Sequence, residues 1–157
     1  MKYPSILNDV LGPIMRGPSS SHTAGPFHIA TMARRLLGQD PVSAVFTFDP
    51  DGSFAKVFQQ QNTDIGFVAG LLGWSMTDDR FLNALNEATS IGLDIEFKIK
   101  KLPIADHPNT VEIKLTAKNA SQLRLLAKSI GGGAFIITAL NEWTVNITGS
   151  THEILVQ

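Results

Sequence analysis

Leu-Asp-Ile-Glu-Phe-Lys-Ile-Lys, residues 93–100, alternates without a break: Leu93, Ile95, Phe97 and Ile99 face one way, and Asp94, Glu96, Lys98 and Lys100 face the other. A strand with one apolar and one charged face belongs to a sheet with one covered side and one wet side, the habit of antiparallel and mixed sheets. Working outward, Val111, Ile113 and Leu115 alternate with Glu112, Lys114 and Thr116 in a second such strand. Upstream, Val42, Ala44 or Val45, Phe46 and Phe48 suit a strand over 41–48, and Asp49-Pro50-Asp51-Gly52 is a turn signal that leads to a possible further strand over 53–58. Downstream, residues 123–130 fit the helical and the strand period alike. Their shortness and the Gly131-Gly132-Gly133 that follows favour a strand. Residues 135–140 and 143–147 read as a hairpin turning at Asn141-Glu142, and 153–156 as a short last strand.

Between the strands lie segments of helical period. Ile6, Leu7, Val10, Leu11 and Ile14 mark a short amphipathic helix over 5–15, interrupted near its end by Gly12-Pro13. Phe27, Ala30, Ala33 and Leu37 form one face of a helix that Gly38 stops, with Arg34 and Arg35 near its C-terminus, where cations suit the helix dipole. A helix from Ile65 to about Trp74 carries glycines at 66, 70 and 73 that allow close packing. Another spans 78–92, with Phe81, Leu82, Leu85, Ala88 and Ile91 on its apolar side. The expected fold class is therefore α+β, a mixed, largely antiparallel sheet packed with helices, in a single domain over residues 1–157.

Composition narrows the function. Hydrophobic content of 43% with 17% charged residues is that of a globular chain. Thirteen Lys and Arg against 14 acids leave no basic field for a phosphate backbone, which argues against nucleic acid. No apolar run is long enough to span a bilayer, and Met1-Lys2-Tyr3-Pro4 lacks the apolar core of a signal peptide, so a cytoplasmic protein without membrane contact is expected. The absence of cysteine removes disulfides, thiolate nucleophiles and any iron–sulfur cluster ligated by this chain alone.

The chemistry concentrates in Gly17-Pro18-Ser19-Ser20-Ser21-His22-Thr23-Ala24-Gly25-Pro26, just ahead of a helix start. Hydroxyls and free helix N–H groups gathered there favour a small anion such as a carboxylate. The plainer alternative is that Ser21 or Thr23 caps the helix, with Pro26 in its first turn. Gln59-Gln60-Gln61-Asn62-Thr63-Asp64 has no apolar member, so it is a polar loop. Either Gln61, Asn62, Thr63 and Asp64 join the first loop in gripping a polar ligand, or Thr63 simply caps the next helix. His28 reads as a surface or edge residue, and the glycine run as a hairpin linker, since no Lys-Ser/Thr pair follows to make a phosphate cradle.

Gly-Pro-Ser-Ser-Ser-His-Thr-Ala-Gly-Pro at 17–26, Asp-Gly-Ser-Phe-Ala-Lys at 51–56, Thr-Asp at 63–64, His-Pro-Asn-Thr at 107–110 and Ser-Ile-Gly-Gly-Gly at 129–133 together resemble the beta chain of iron–sulfur-dependent L-serine dehydratase, over nearly the whole length. That resemblance implies deamination of L-serine to pyruvate and ammonia in a setting of amino acid metabolism and gluconeogenesis. It also implies a 4Fe-4S cluster ligated by a partner alpha chain, and a fold similar to the allosteric substrate-binding domain of some phosphoglycerate dehydrogenases. Carried onto matching positions, it makes His22 and His107 candidates to hold or move a proton. Ser19, Ser20, Ser21, Thr23, Gln61, Asn62, Thr63, Asp64 and Asn109 become candidate substrate-binding residues. The family's usual Gly-His-Gly before Thr-Asp is replaced here by Gln60, Gln61 and Asn62, so a group that exchanges protons becomes one that only hydrogen-bonds. The expectation is a subunit that is silent without its alpha chain, in an oligomer; the alternative is a regulatory module that senses a small amino or hydroxy acid.

Overall fold

The computed structural model of the chain describes residues 14–150. Most of the helix expected over 5–15, the last strand over 153–156, and His152 lie outside the described residues. In order, the described chain forms α1 (Gly25–Leu37), β1 (Pro41–Phe48), α2 (Ser53–Val57), α3 (Thr63–Leu71), α4 (Ala84–Ser90), β2 (Asp94–Ile99), β3 (Thr110–Ala117), β4 (Gln122–Gly131), β5 (Ala134–Leu140) and β6 (Trp143–Ile147). The sheet order is β2-β1-β3-β4-β5-β6. Only β1 and β2 run parallel, and every other neighbouring pair is antiparallel. The α+β class with a mixed, largely antiparallel sheet is what the alternating strands require. The one parallel pair needs a crossover, and α2, α3 and α4 supply it.

Alternation sorts the sheet into two faces. Ala44, Phe46 and Phe48, with Val111, Ile113, Leu115, Leu125 and Ala127, are buried in the core beneath the helices. The Phe67 ring of α3 lies 4.7 Å from that of Phe46, which stacks at 5.1 Å on Phe97 of β2. On the opposite face Glu112 is paired with Arg124 at 2.5 Å and with Lys114 at 3.5 Å. Residues 123–130 are strand, within β4, and the three glycines that follow all take positive φ (94°, 61° and 77°) to turn the β4–β5 hairpin.

Four local expectations are corrected. Residues 53–57 are helical, not a strand, because Phe54 and Phe58 are four residues apart and both pack on Phe48, at 5.5 and 5.6 Å. Thr63 does not cap α3: Asn62 holds the cap position at φ 52°, and the Thr63 side chain is fully buried. α3 ends at Leu71 rather than near Trp74, with Gly73 left-handed just beyond it. The helix expected over 78–92 begins late, as a 3-10 turn at Phe81–Asn83. Asp78 instead spends its carboxylate on the backbone N–H and side chain of Arg80, a local turn that competes with helix; Leu82 and Ile91 are exposed.

The helices α1 and α3 meet at backbone distance. A Cβ placed on Gly70 would lie 2.4 Å from the Phe27 carbonyl oxygen and 2.8 Å from Ala30 Cβ. Gly66 is equally tight, 2.5 Å from the Thr23 carbonyl oxygen. For Gly70→Ala, helix propensity favours alanine by about 1 kcal/mol, whereas overpacking a tight contact costs roughly 1–3 kcal/mol. The contact is with backbone oxygen, which cannot rotate away, so overpacking wins. The expected outcome is a lower urea midpoint for Gly70→Ala; a midpoint equal to or above the parent's would show that the two helices separate freely.

Candidate functional site: a hydroxyl turn around His22

Pro26 sits in the first turn of α1 and donates no N–H, so the chain approaches that helix by another route. Residues Ser20–Ala24 form one π-helical turn, a wide geometry that recurs at functional sites. Its cap is Ser19 rather than Ser21 or Thr23: the Ser19 backbone is extended and its Oγ accepts the His22 N–H at 3.1 Å. Thr23 is buried and acts as a latch, its Oγ1 donating to the Gln61 carbonyl oxygen at 2.8 Å and accepting from the Ser19 N–H at 3.3 Å. Ser19, Ser20, Ser21 and His22 stay half-buried, at the surface of the turn.

Both nitrogens of the His22 ring are engaged. Nδ1 lies 3.0 Å from Ser21 Oγ and 3.3 Å from Ser19 Oγ, and Nε2 lies 2.9 Å from Ser53 Oγ. The Phe54 ring meets the imidazole edge-on at 5.4 Å. Burial pushes the His22 pKa below its ordinary value, which keeps the ring neutral near pH 7. A neutral ring among hydroxyls can take a proton at either nitrogen, since a hydroxyl donates or accepts as required.

The other two candidate segments are bonded to this turn. Gln61 is reached directly through Thr23, and residues 107–109 through Ser53, whose N–H donates to the Pro108 carbonyl oxygen at 2.7 Å. His107 Nδ1 accepts the Asn109 N–H at 3.1 Å, and its own carbonyl oxygen accepts from Thr110 Oγ1 at 2.7 Å. The Asn109 carbonyl oxygen accepts from the Ser129 N–H at 3.1 Å, while its side-chain Oδ1 is buried without a partner. Thr63 Oγ1 and Ser129 Oγ are orphaned in the same way. The loop that carries His107 is pinned at its start by Asp49, whose carboxylate accepts the Leu102 N–H at 2.8 Å and the Asp51 N–H at 3.0 Å. These bonds, the Leu102 one foremost, hold the Asp49 carboxyl below its usual range.

Asp64 stands apart. It lines a cleft of about 470 Å³ with Phe58, Leu85, Leu93 and Phe97, and none of the cleft's lining residues belongs to the hydroxyl turn. Burial pushes its pKa up from the ordinary value, against the lowering effect of the Ile65 N–H that its Oδ1 accepts at 2.8 Å. Two residues at the centre of the arrangement, Ser53 and Ser129, lie in the motifs at 51–56 and 129–133 without being candidates for the site: a strand over 53–58 gives Ser53 no helix start to sit on, and the glycine run beside Ser129 suggests only a linker, although Ser129 lies fully buried against Gly25.

The donor set does not fit an iron–sulfur cluster held by this chain. There is no cysteine in the sequence, and among the described residues no group of three or more His, Asp and Glu side chains is placed to hold a metal ion. Among the described residues, no helix is long and apolar enough to cross a membrane.

Residues 10–140 match the family model described as serine dehydratase beta chain. The chain is 40% identical over 157 residues to the probable L-serine dehydratase, beta chain, of Bacillus subtilis (strain 168), an overlap covering 99% of this chain and 69% of that protein. It is 36% identical over 149 residues to the L-serine dehydratase, beta chain, of Peptoniphilus asaccharolyticus, covering 95% of this chain and 66% of that one. The chain therefore spans about two thirds of the length of the curated relatives it matches.

Asp64 offers a test of the geometry that is independent of any activity. Its pKa is higher folded than unfolded, so the folded state binds the proton more tightly and stability falls as pH rises from the ordinary value of 3.8 through the raised one. Asparagine keeps the oxygen that accepts the Ile65 N–H and never ionises. Asp64→Asn is expected to raise the melting temperature at pH 7 and to match the parent near pH 3; a lower melting temperature at pH 7 would mean that the charge is compensated in the fold.

Proposed function

Because the chain belongs to the serine dehydratase beta chain family, we propose that it is the beta subunit of an L-serine dehydratase, supplying polar loops to a site that an alpha chain completes. The observation that carries this reading is the hydrogen-bonded union of three segments far apart in sequence: the turn around His22, the Gln61 loop and the 107–109 loop. A β-hydroxy amino acid presents a carboxylate, an amino group, an α-proton and a hydroxyl to be expelled, so it needs several polar contacts converging from different elements.

In this reading the hydroxyls of Ser19, Ser20 and Ser21 receive the carboxylate, where the N-terminal end of α1 also favours negative charge. Gln61, Asn62 and the orphaned Oδ1 of Asn109 orient the amino end, Oδ1 accepting from an ammonium. Thr23 and Thr63 act from behind: one latches the turn to the Gln61 loop, and the other opens α3. Asp64 acts only through that same helix start. His22, neutral and hydroxyl-flanked, takes or returns the proton, and His107 is held with its Nδ1 accepting from backbone, which leaves Nε2 as its working nitrogen. A 4Fe-4S cluster held by cysteines of the alpha chain would supply the Lewis acid that acidifies the leaving hydroxyl. No step of this chain's own residues runs through it.

The purified chain alone is expected to show no serine dehydration, and mixing it with its cysteine-bearing alpha chain under anaerobic conditions to restore pyruvate formation. Robust lyase activity from the chain by itself would remove the reading. In the assembled enzyme, His22→Ala is expected to lower kcat by about 10²–10⁴-fold, the usual contribution of a general acid or base, with KM held. Normal turnover with altered inhibition or activation by serine would make the chain a sensing module instead.

A further inference from the structure

We propose that Ser53 is a positioning residue for His22; the proposal rests on the reading of His22 as a proton carrier. Gly52 holds the cap position of α2 and has no side chain to cap with, and Ser53 is the first helical residue. The Pro108 carbonyl oxygen accepts the Ser53 N–H at 2.7 Å and the Phe54 N–H at 3.5 Å, so the helix start is satisfied from the 107–109 loop. That releases the Ser53 hydroxyl to face His22 Nε2 at 2.9 Å. The approach is tight: a Cβ on Gly52 would fall 2.8 Å from the same Pro108 oxygen.

Two consequences follow for the ring. With Nε2 engaged by Ser53 and the Phe54 edge against one side, the imidazole is held so that Nδ1 addresses the Ser19 and Ser21 hydroxyls. Ser53 also joins His22 to the loop bearing His107 and Asn109 by hydrogen bonds, its side chain on one and its backbone on the other. Without the hydroxyl, Nε2 is left unpaired in a half-buried place and the ring is free to turn. The backbone bond to Pro108 survives, so the loop stays where it is.

The test uses Ser53→Ala and Ser53→Thr. In the full chain labelled with 15N-histidine, the two imidazole nitrogen shifts of His22 are expected to move in Ser53→Ala and to return in Ser53→Thr, the remaining histidines holding still. In the complex with the alpha chain, kcat is expected to fall by up to about a hundredfold in Ser53→Ala with KM unchanged, and to recover in Ser53→Thr. Unmoved His22 shifts in Ser53→Ala, or equal losses in both variants, would overturn the proposal. If the shifts move and recover as expected but the complex does not act on L-serine, the positioning role stands and the proposed reaction is what fails.

Discussion

The hydroxyl turn around His22 is seated on glycine. The Thr23 carbonyl rests on Gly66 and the Phe27 carbonyl on Gly70, so the π-turn and the start of α1 lie on α3 with no side chain between them. Gly25 does the same on the other flank, where a Cβ would fall 2.1 Å from Ser129 Oγ. Each glycine inside a helix forgoes about 1 kcal/mol of propensity. α3 tolerates that because it is buried on all sides, with Phe67, Val68 and Leu71 inside the core; full burial of side chains of that size contributes roughly 1.5–3 kcal/mol apiece. The close approach is what brings Thr23 within 2.8 Å of the Gln61 carbonyl, and so it decides that the turn and the loop are one unit.

Charge is distributed to match. Around His22 every hydrogen-bond partner of the ring is a hydroxyl, and burial keeps the imidazole neutral. The formal charges lie one layer out: Asp49 with Lys101, Asp106 with Lys128, Glu112 with Arg124. Asp49 is the one that matters for the site, because its carboxylate spends itself on backbone N–H groups and so fixes where the next loop begins. A rigid frame of backbone-directed bonds around a neutral, hydroxyl-lined turn gives a small charged ligand strong local fields without a competing salt bridge.

The strands were legible because their period is two and their faces differ in polarity; alternation at 93–99 and 111–116 needs no tertiary knowledge. α2 was not, since Ser53–Val57 is too short for helical periodicity to register, and what fixes it is the contact of Phe54 and Phe58 with Phe48. The late start of the helix near 78 was hidden for a related reason: Asp78 can satisfy either a helix dipole or its own turn, and only Arg80 beside it decides. At the site, the density of hydroxyls before a helix marked residues 19–23 at once. The cap could not be assigned among them, because Ser19 and Ser21 are equivalent in composition and differ only in the π-turn's register. Ser53 was invisible as a partner of His22, being 31 residues away and placed by the Pro108 carbonyl.

The unmet bonds have a pattern of their own. Among the described residues four buried side-chain atoms have no partner: Arg34 Nε lies in the last turn of α1, while Thr63 Oγ1, Asn109 Oδ1 and Ser129 Oγ belong to segments linked directly or through one residue to the π-turn. Leaving a buried polar atom unpaired costs about 1–3 kcal/mol, so folded chains keep few of them. Three of the four stand behind the π-turn, whose own backbone groups are largely taken by internal bonds. A site preorganised in this way has paid its ordering cost on folding, and a ligand that satisfies even one of those atoms gains the bond without having to order the residues that make it.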